Sequence, residues 1–303
     1  MRSTVVSLAI LAATAGTLAT TARAQEAVGR DQEVWTWSDR VARGDWFHFA
    51  SRMGDVTVTE GTGDRVEVRA QKILRRGRAT DISFIVVRYN DGVTICAVYD
   101  EDECDDDGIH SDWRGRRSRD LAGLAVTIRL PRGVKVRAQS GNGEVNVSGA
   151  TDEVIAASGN GKVGVNGSGG SVKASSGNGE VSVTGAKGPV NASSGNGDVM
   201  ISTSTGPVSA SSGNGDIIVT MSELGQRERM DFSTGNGRIR LSLPSNFAAE
   251  IDASTGNGEI DSDFPITVTG KISKSRVRGT IGTGGPRVKL ISGNGRIELR
   301  KQT

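Results

Sequence analysis

The sequence predicts an all-β fold, a parallel β-helix or β-solenoid of about 18-residue coils with a hairpin insertion near its N-terminal end. Three observations predict it. Gly-Asn-Gly recurs at Asn142, Asn160, Asn178, Asn196, Asn214, Asn236, Asn257 and Asn294, and the first four intervals are 18 residues each. Between these motifs, apolar residues alternate with period two. Glycine is abundant, at 42 residues, while aromatics make up only 4% of the chain, too few for thick layered cores.

Each regular copy repeats one inner pattern. A charged residue follows Asn-Gly, then an apolar-x-apolar run: Val145 and Val147, Val163 and Val165, Val181 and Val183, Val199 and Ile201. A Gly-rich turn leads to a second run, as in Val154 and Ala156 or Val172 and Ala174. Such alternation means short strands with one buried face, which one coil cannot bury alone. Stacked in register, the coils place like residues in ladders. The later intervals of 22, 21 and 37 residues read as longer turns, the last as two coils with a degenerate copy near Gly282-Thr283-Gly284.

The Asn column has a structural reading. Asn tolerates the tight turn, the flanking glycines remove steric cost, and stacked amides can hydrogen-bond from coil to coil. Ser158, Ser176, Ser194 and Ser212 form a second small-residue column beside it. A phosphate-cradling loop would need a following helix N-terminus, but every copy leads into a strand. A calcium-binding β-roll would need a Gly-Gly-x-Gly-x-Asp half-repeat twice per coil, and here the turn comes once.

Residues 1–24 read as a signal peptide. Arg2 precedes an apolar and small-residue stretch, Val5 to Leu18, and Ala22-Arg23-Ala24 supplies the cleavage site before Gln25. The stretch is too short and too rich in Ala, Thr and Gly for a membrane anchor, and no later segment could span a membrane as a helix. The chain is therefore expected to be exported, periplasmic or extracellular at the cell surface. A formal net charge of +2 gives no drive toward nucleic acid. Cys96 and Cys104 are expected to form one local disulfide in an oxidising compartment.

Residues 25–50 are expected to be a cap segment, with Trp35, Trp37, Trp46, Phe47 and Phe49 covering the first coil; a carbohydrate platform is the alternative. The solenoid domain is assigned to 51–303, with an insertion at about 72–130. An early coil reads as Asp55 to Thr59 followed by Val66 to Ala70, with Met53 where Asn would stand. The insertion is expected to contain a hairpin turning at Asn90-Asp91-Gly92, an acidic loop, a basic run with Arg114, Arg116, Arg117 and Arg119, and a strand from Leu124 to Leu130.

These features together resemble a known group. Gly54-Asp55-Val56, the Pro131-Arg132-Gly133-Val134 entry and the serial Ser-Gly-Asn-Gly coils are similar to the bacterial "putative adhesin" β-strand-repeat family. The ending Ser262-Asp263-Phe264-Pro265 with Gly279 to Gly285 fits as well. The resemblance covers roughly residues 45 to 300. It implies a β-helical solenoid on an exported or envelope protein, with no catalytic residues and no cofactor to carry over. The acidic loop lies outside the pattern.

Three constellations bear on chemistry. Stacking puts Glu180, Asp198 and Asp216 in a column about 5 Å apart, where carboxylates could act as acid catalysts or hold a divalent ion. The alternative is a solvated edge relieved by Lys162 and the arginines. Glu103, Asp105 and Asp107 with Gly108 imitate the start of a calcium loop, but Arg114 stands where the last ligand should be. A charged, disulfide-pinned surface loop is the other reading. His48 and His110 fit no triad or zinc spacing.

The sequence thus favours a non-catalytic scaffold for envelope or surface interactions, its partner an envelope or surface protein or glycan. Pairing of copies through the solenoid edges is a further expectation. A polysaccharide lyase or hydrolase using Glu180, Asp198 and Asp216 is the second reading, and an envelope stress or signalling component the third.

Overall fold

A computed structural model of the chain describes residues 27–73, 81–99, 102–110, 122–203, 206–223, 228–268 and 273–302. The export segment and the basic run from Arg114 to Arg119 lie outside the described residues.

One coil shows how the fold is built. Lys135–Asn142 runs in a first sheet, the chain turns at Gly143 and Glu144, and Val145–Ala150 returns in a second sheet. Val154–Asn160 then lies parallel beside Lys135–Asn142, and Val163–Ser168 parallel beside Val145–Ala150. Repetition yields two facing sheets of 13 and 12 strands, so the fold is the all-β solenoid the sequence predicts. The register is strict: Val172, Ala174 and Ser176 lie beside Val154, Ala156 and Ser158.

These inward residues are buried, as are Val163 and Val165 on the facing sheet. Small Ala and Ser positions permit a thin core, whose stabilisation comes from coil-on-coil repetition rather than from large side chains. Both ends are packed differently. Phe49 stands beside Ala138 in the small-residue column, and Phe232 beside Ala210. On their other sides Phe49 and Phe232 are covered by Ile95 and Leu290, so each marks the step from the small Ala column to the bulkier residues of the end layers.

The N-terminal end corrects two expectations. Trp46–Met53 is already a coil strand, parallel to Lys135–Asn142 with Met53 opposite Asn142, so the solenoid begins inside the segment 25–50 assigned to a cap. Phe47 and Phe49 point into the core and alternate with His48 and Ala50, which makes them core residues rather than a lid. Trp35 and Trp37 do sit at the end, stacked on Phe84 at 4.2 Å and on Phe47 at 5.9 Å.

The insertion adds layers to both sheets instead of standing off them. Gly92–Val98 runs parallel to Trp46–Met53 and forms a hairpin with Ser83–Tyr89, while Gly123–Leu130 runs parallel to Asp55–Glu60. Val66–Ile73, expected as the other strand of the early coil, stays in the second sheet and pairs antiparallel with Gly123–Leu130. Val34–Asp39 pairs antiparallel beyond it. Lys72 ties the first residues down, its buried ammonium donating to the carbonyls of Gly29, Arg30 and Ile82 at 2.7–2.8 Å.

The C-terminal end departs from chain order. Arg287–Asn294 lies between Met230–Asn236 and Ala249–Asn257, parallel to both, and Ile297–Lys301 likewise lies between Ile239–Leu243 and Ile260–Ser262. The 37-residue interval is therefore not two stacked coils. The chain leaves the solenoid after Ser262, and Arg276–Ile281 turns back antiparallel on Ala249–Asn257. Gly282 to Gly285 then returns it into a slot one coil earlier. Glycine suits this reversal: Gly282 has φ +59° and Gly284 φ +78°.

Candidate functional site

The recurrent motif lines one edge of the solenoid. Asn160 Nδ2 donates to Asn142 Oδ1 at 2.8 Å, and Asn178, Asn196 and Asn214 continue the chain at 2.7 Å each. Asn236 donates to Asn214, Asn294 to Asn236 and Asn257 to Asn294, so all eight amides form one line. Met53 offers no acceptor, and Asn142 ends the ladder on the Arg52 carbonyl at 3.4 Å.

A second ladder runs beneath it. The buried hydroxyls of Ser158, Ser176, Ser194 and Ser212 donate to the carbonyls of Gly143, Gly161, Gly179 and Gly197 at 2.7–2.9 Å. Thr234, Ser292 and Thr255 do the same in the later coils. The ladder stops at Ser51, whose buried hydroxyl has no partner among the described residues, since the layer beyond it lacks a Gly-Asn-Gly turn. A Cβ on Gly161 would run into the Gly143 carbonyl oxygen, so close coil contact requires glycine there.

The structure does bring Glu180, Asp198 and Asp216 into one column, on successive coils. Asp198 Oδ1 accepts the Asp216 backbone N–H at 2.8 Å, and Asp216 Oδ1 accepts the Arg238 N–H at 2.7 Å. Arg238 also pairs with the other Asp216 oxygen at 2.9 Å, while Lys162 lies 3.8 Å from Glu180. The two aspartates thus act as coil-to-coil acceptors, with cations at both ends of the column.

The acidic loop folds onto the outer face of the first sheet. The Cys96–Cys104 disulfide joins it to Gly92–Val98. Ala50, Cys96 and Val98 form a small apolar cluster beneath, with Ile85, Cys104 and Ile109 packed on it. Arg52 donates to the buried Asp102 carboxylate at 2.9 Å, whose other oxygen accepts the Tyr99 N–H. Glu103, Asp105 and Asp107 do not converge: Asp105 accepts the N–H groups of Asp107 and Gly108 and pairs with His110 at 2.8 Å, while Asp107 faces Arg137 at 3.6 Å. Burial raises the Asp105 carboxyl, but these bonds outweigh it and hold the group below its ordinary value. Among the described residues, no three His, Cys, Asp or Glu side chains are placed to hold a metal ion.

His48, to which the sequence assigns no role, lies buried under this loop. Its Nε2 is 2.8 Å from Gln139 Oε1 and its Nδ1 3.3 Å from the Asp106 carbonyl. Burial pushes the imidazole below its usual value, against the opposing effect of the Gln139 bond. One signal was available: Cys96 alternates with inward Ile95 and Ala97, so its disulfide partner must lie on the outer face, over His48's side of the sheet.

Elsewhere the outer faces are flat rows of small polar groups. Ser175, Ser193, Ser211 and Ser233 align on the first sheet, and Asn166, Thr184, Ser202 and Thr220 on the second. Charge gathers toward the C-terminal coils. Arg278 and Arg287 both reach Asp252 Oδ2 at 2.7 Å, and Arg240 reaches the nearly buried Glu298 at 2.6 Å.

Two facing parallel sheets stitched along one edge by Asn and Ser/Thr ladders define a two-sided β-solenoid. The chain belongs to the Toastrack DUF4097 family, whose model matches residues 119–300. That agrees with the resemblance carried by the Ser-Gly-Asn-Gly coils. A structure described as a putative adhesin from Bacteroides fragilis is similar at 13% identity and a TM-score of 0.35, covering 90% of this chain and 99% of that one. One from Parabacteroides distasonis has 11% identity and a TM-score of 0.33, covering 89% and 98%. A putative cell adhesion protein from Clostridium sporogenes has 8% identity and a TM-score of 0.28, covering 89% and 100%. Likeness at this level says nothing about what this chain binds. No curated protein matches it significantly. Among the described residues, no helix is long and apolar enough to cross a membrane.

Proposed function

We propose that this protein is an exported, non-catalytic scaffold whose outer surfaces make contacts in the bacterial envelope or at the cell surface. The observation that carries the reading is the use made of the recurrent polar residues. The Asn amides, the Ser and Thr hydroxyls, and the carboxylates of Asp198 and Asp216 are bonded to the next coil rather than presented to a substrate. The signal-peptide pattern of residues 1–24 supports export. What the fold leaves free is area: flat hydroxyl-bearing faces and the irregular N-terminal layers, suited to a protein or glycan partner, with the end strands available to a second copy.

The test uses the mature chain from Gln25. It is screened for binding to purified envelope glycans and proteins, and for cleavage of polysaccharides, beside a variant carrying Glu180→Gln, Asp198→Asn and Asp216→Asn. Asn preserves the acceptor oxygen that each aspartate uses, so the variant should fold. Binding without cleavage, equal in both proteins, is the expected result. A polysaccharide-cleaving activity lost in the folded variant would overturn it.

A further inference from the structure

Three connections meet at the edge opposite the Asn ladder, near the N-terminal end: residues 40–45, 61–65 and 131–134. Between them lies an open groove of about 780 Å³, within the range of small-ligand sites. Its charges are unequally matched. The Arg132 guanidinium is held by Glu60, and Asp64 is held by Arg40 at 2.8 Å. Arg43 lines the groove with its stem against Gly133, and among the described residues its guanidinium has no hydrogen-bond or ion-pair partner. The exposed Arg43 guanidinium is thus the charged group of the groove open to an anionic ligand. Its other features are mixed: acceptor oxygens on Glu60 and Asp64, the Thr62 hydroxyl, a side-chain-free strip at Gly61 and Gly63, and the buried Val41 and Pro131 in its wall.

We propose that this groove binds a carboxylate-bearing sugar, a uronate unit of an acidic glycan, with Arg43 taking the carboxylate. A guanidinium fork matches a carboxylate in a planar, bidentate way that few other groups do. Sugar hydroxyls both donate and accept, so they can use Glu60, Asp64 and Thr62 together. The C–H face of the ring suits the side-chain-free strip at Gly61 and Gly63. The site lies where the chain departs from the repeat, and Arg43 is not drawn into the bonds that join its segments. Gly133 holds the Pro131–Val134 turn in place by donating its N–H to Thr151 Oγ1 of the next coil at 2.7 Å. The assignment rests on reading the chain as a binding scaffold, and names one ligand class and one place for it.

The experiment is calorimetric titration of the mature protein with trigalacturonic acid and with its methyl ester, for wild type, Arg43→Ala and Arg43→Gln. A Lys173→Ala variant on the first sheet's outer face serves as control. The expected result is saturable binding of the acid, weakened at least tenfold by esterification and by either Arg43 substitution, and unchanged in Lys173→Ala. No binding of the acid overturns the assignment, as does equal binding of acid and ester, or of wild type and the folded Arg43 variants. If the wider screen finds a partner that binds both Arg43 variants as well as wild type, and the acid does not bind, the scaffold reading stands and the groove assignment falls.

Discussion

Asn294 Nδ2 donates to Asn236 Oδ1 at 2.7 Å, across 58 positions, and the same Asn294 accepts from Asn257 at 2.6 Å. The last coil is thus held between two that precede it. Asn294→Ala removes a donor and an acceptor at once, whereas Asn257→Ala removes one bond at the end of the ladder. At about 0.5–1.5 kcal/mol per bond, Asn294→Ala should cost roughly twice as much in urea unfolding. It should also raise amide exchange on both flanking coils, at Met230–Asn236 and Ala249–Asn257.

The hydroxyl ladder and the turn glycines predict two graded losses. Ser194→Ala leaves the Gly179 carbonyl without its 2.8 Å donor and should cost about 1–2 kcal/mol. Gly161→Ala forces a methyl against the Gly143 carbonyl, between two coils that cannot separate without losing their ladder bonds. It should be the more damaging of the two by chemical denaturation.

Stability should depend on pH in two separate windows. His48 is held below its ordinary value by burial, with Gln139, the Asp106 carbonyl, Arg137 and Asp107 around it. Below about pH 6.5 the unfolded chain takes up a proton that the folded chain refuses. Stability should therefore fall as pH drops from about 6.5, until the folded value is passed. Asp252, held low first by the Arg278 bond and also by Arg287, acts in the other window. Its contribution is present above about pH 4 and is lost as pH falls further. His48→Gln should flatten the upper window in urea melts between pH 5 and 7.5 and leave the acid limb unchanged.

The disulfide closes a short loop over the first sheet, with a sequence separation of 8. Replacing both Cys96 and Cys104 with Ser should cost about 2–3 kcal/mol by loop-closure entropy. Exchange protection should be lost around Thr94 and His48, while the coils from Val154 to Asn214 keep theirs.

The regular coils were legible because their chemistry repeats at the backbone period. Asn142 to Asn214 recur every 18 residues, and one register satisfies the Val, Ser and Asn columns together. The place of the last coil was not legible, and the reason is the same uniformity. Arg287–Asn294 offers similar columns on both sides, so its own residues fit beside Met230–Asn236 or Ala249–Asn257 alike. The path after Ser262 decides its place, and that path carries no repeat. The N-terminal layers were partly legible. The hairpin signal at Asn90-Asp91-Gly92 marked two strands, yet nothing in it showed that Gly92–Val98 would lie parallel to Trp46–Met53. For the candidate sites, the column of Glu180, Asp198 and Asp216 was visible, but its backbone bonds depend on geometry between coils. The groove at Arg43 joins residues nearly 90 positions apart and has no sequence signature.

The most direct test of the architecture is disulfide trapping in the full chain. Parallel neighbours lie about 4.8 Å apart, within disulfide reach, whereas strands two places apart do not. One variant carries Asn236→Cys with Asn294→Cys, and the other Asn236→Cys with Asn257→Cys. Under mild oxidation, with peptide mapping of the cross-links, the first pair should close within one chain and the second should remain as free thiols. Closure of the second pair and not the first would mean that the coils stack in chain order, and would contradict the inserted C-terminal coil.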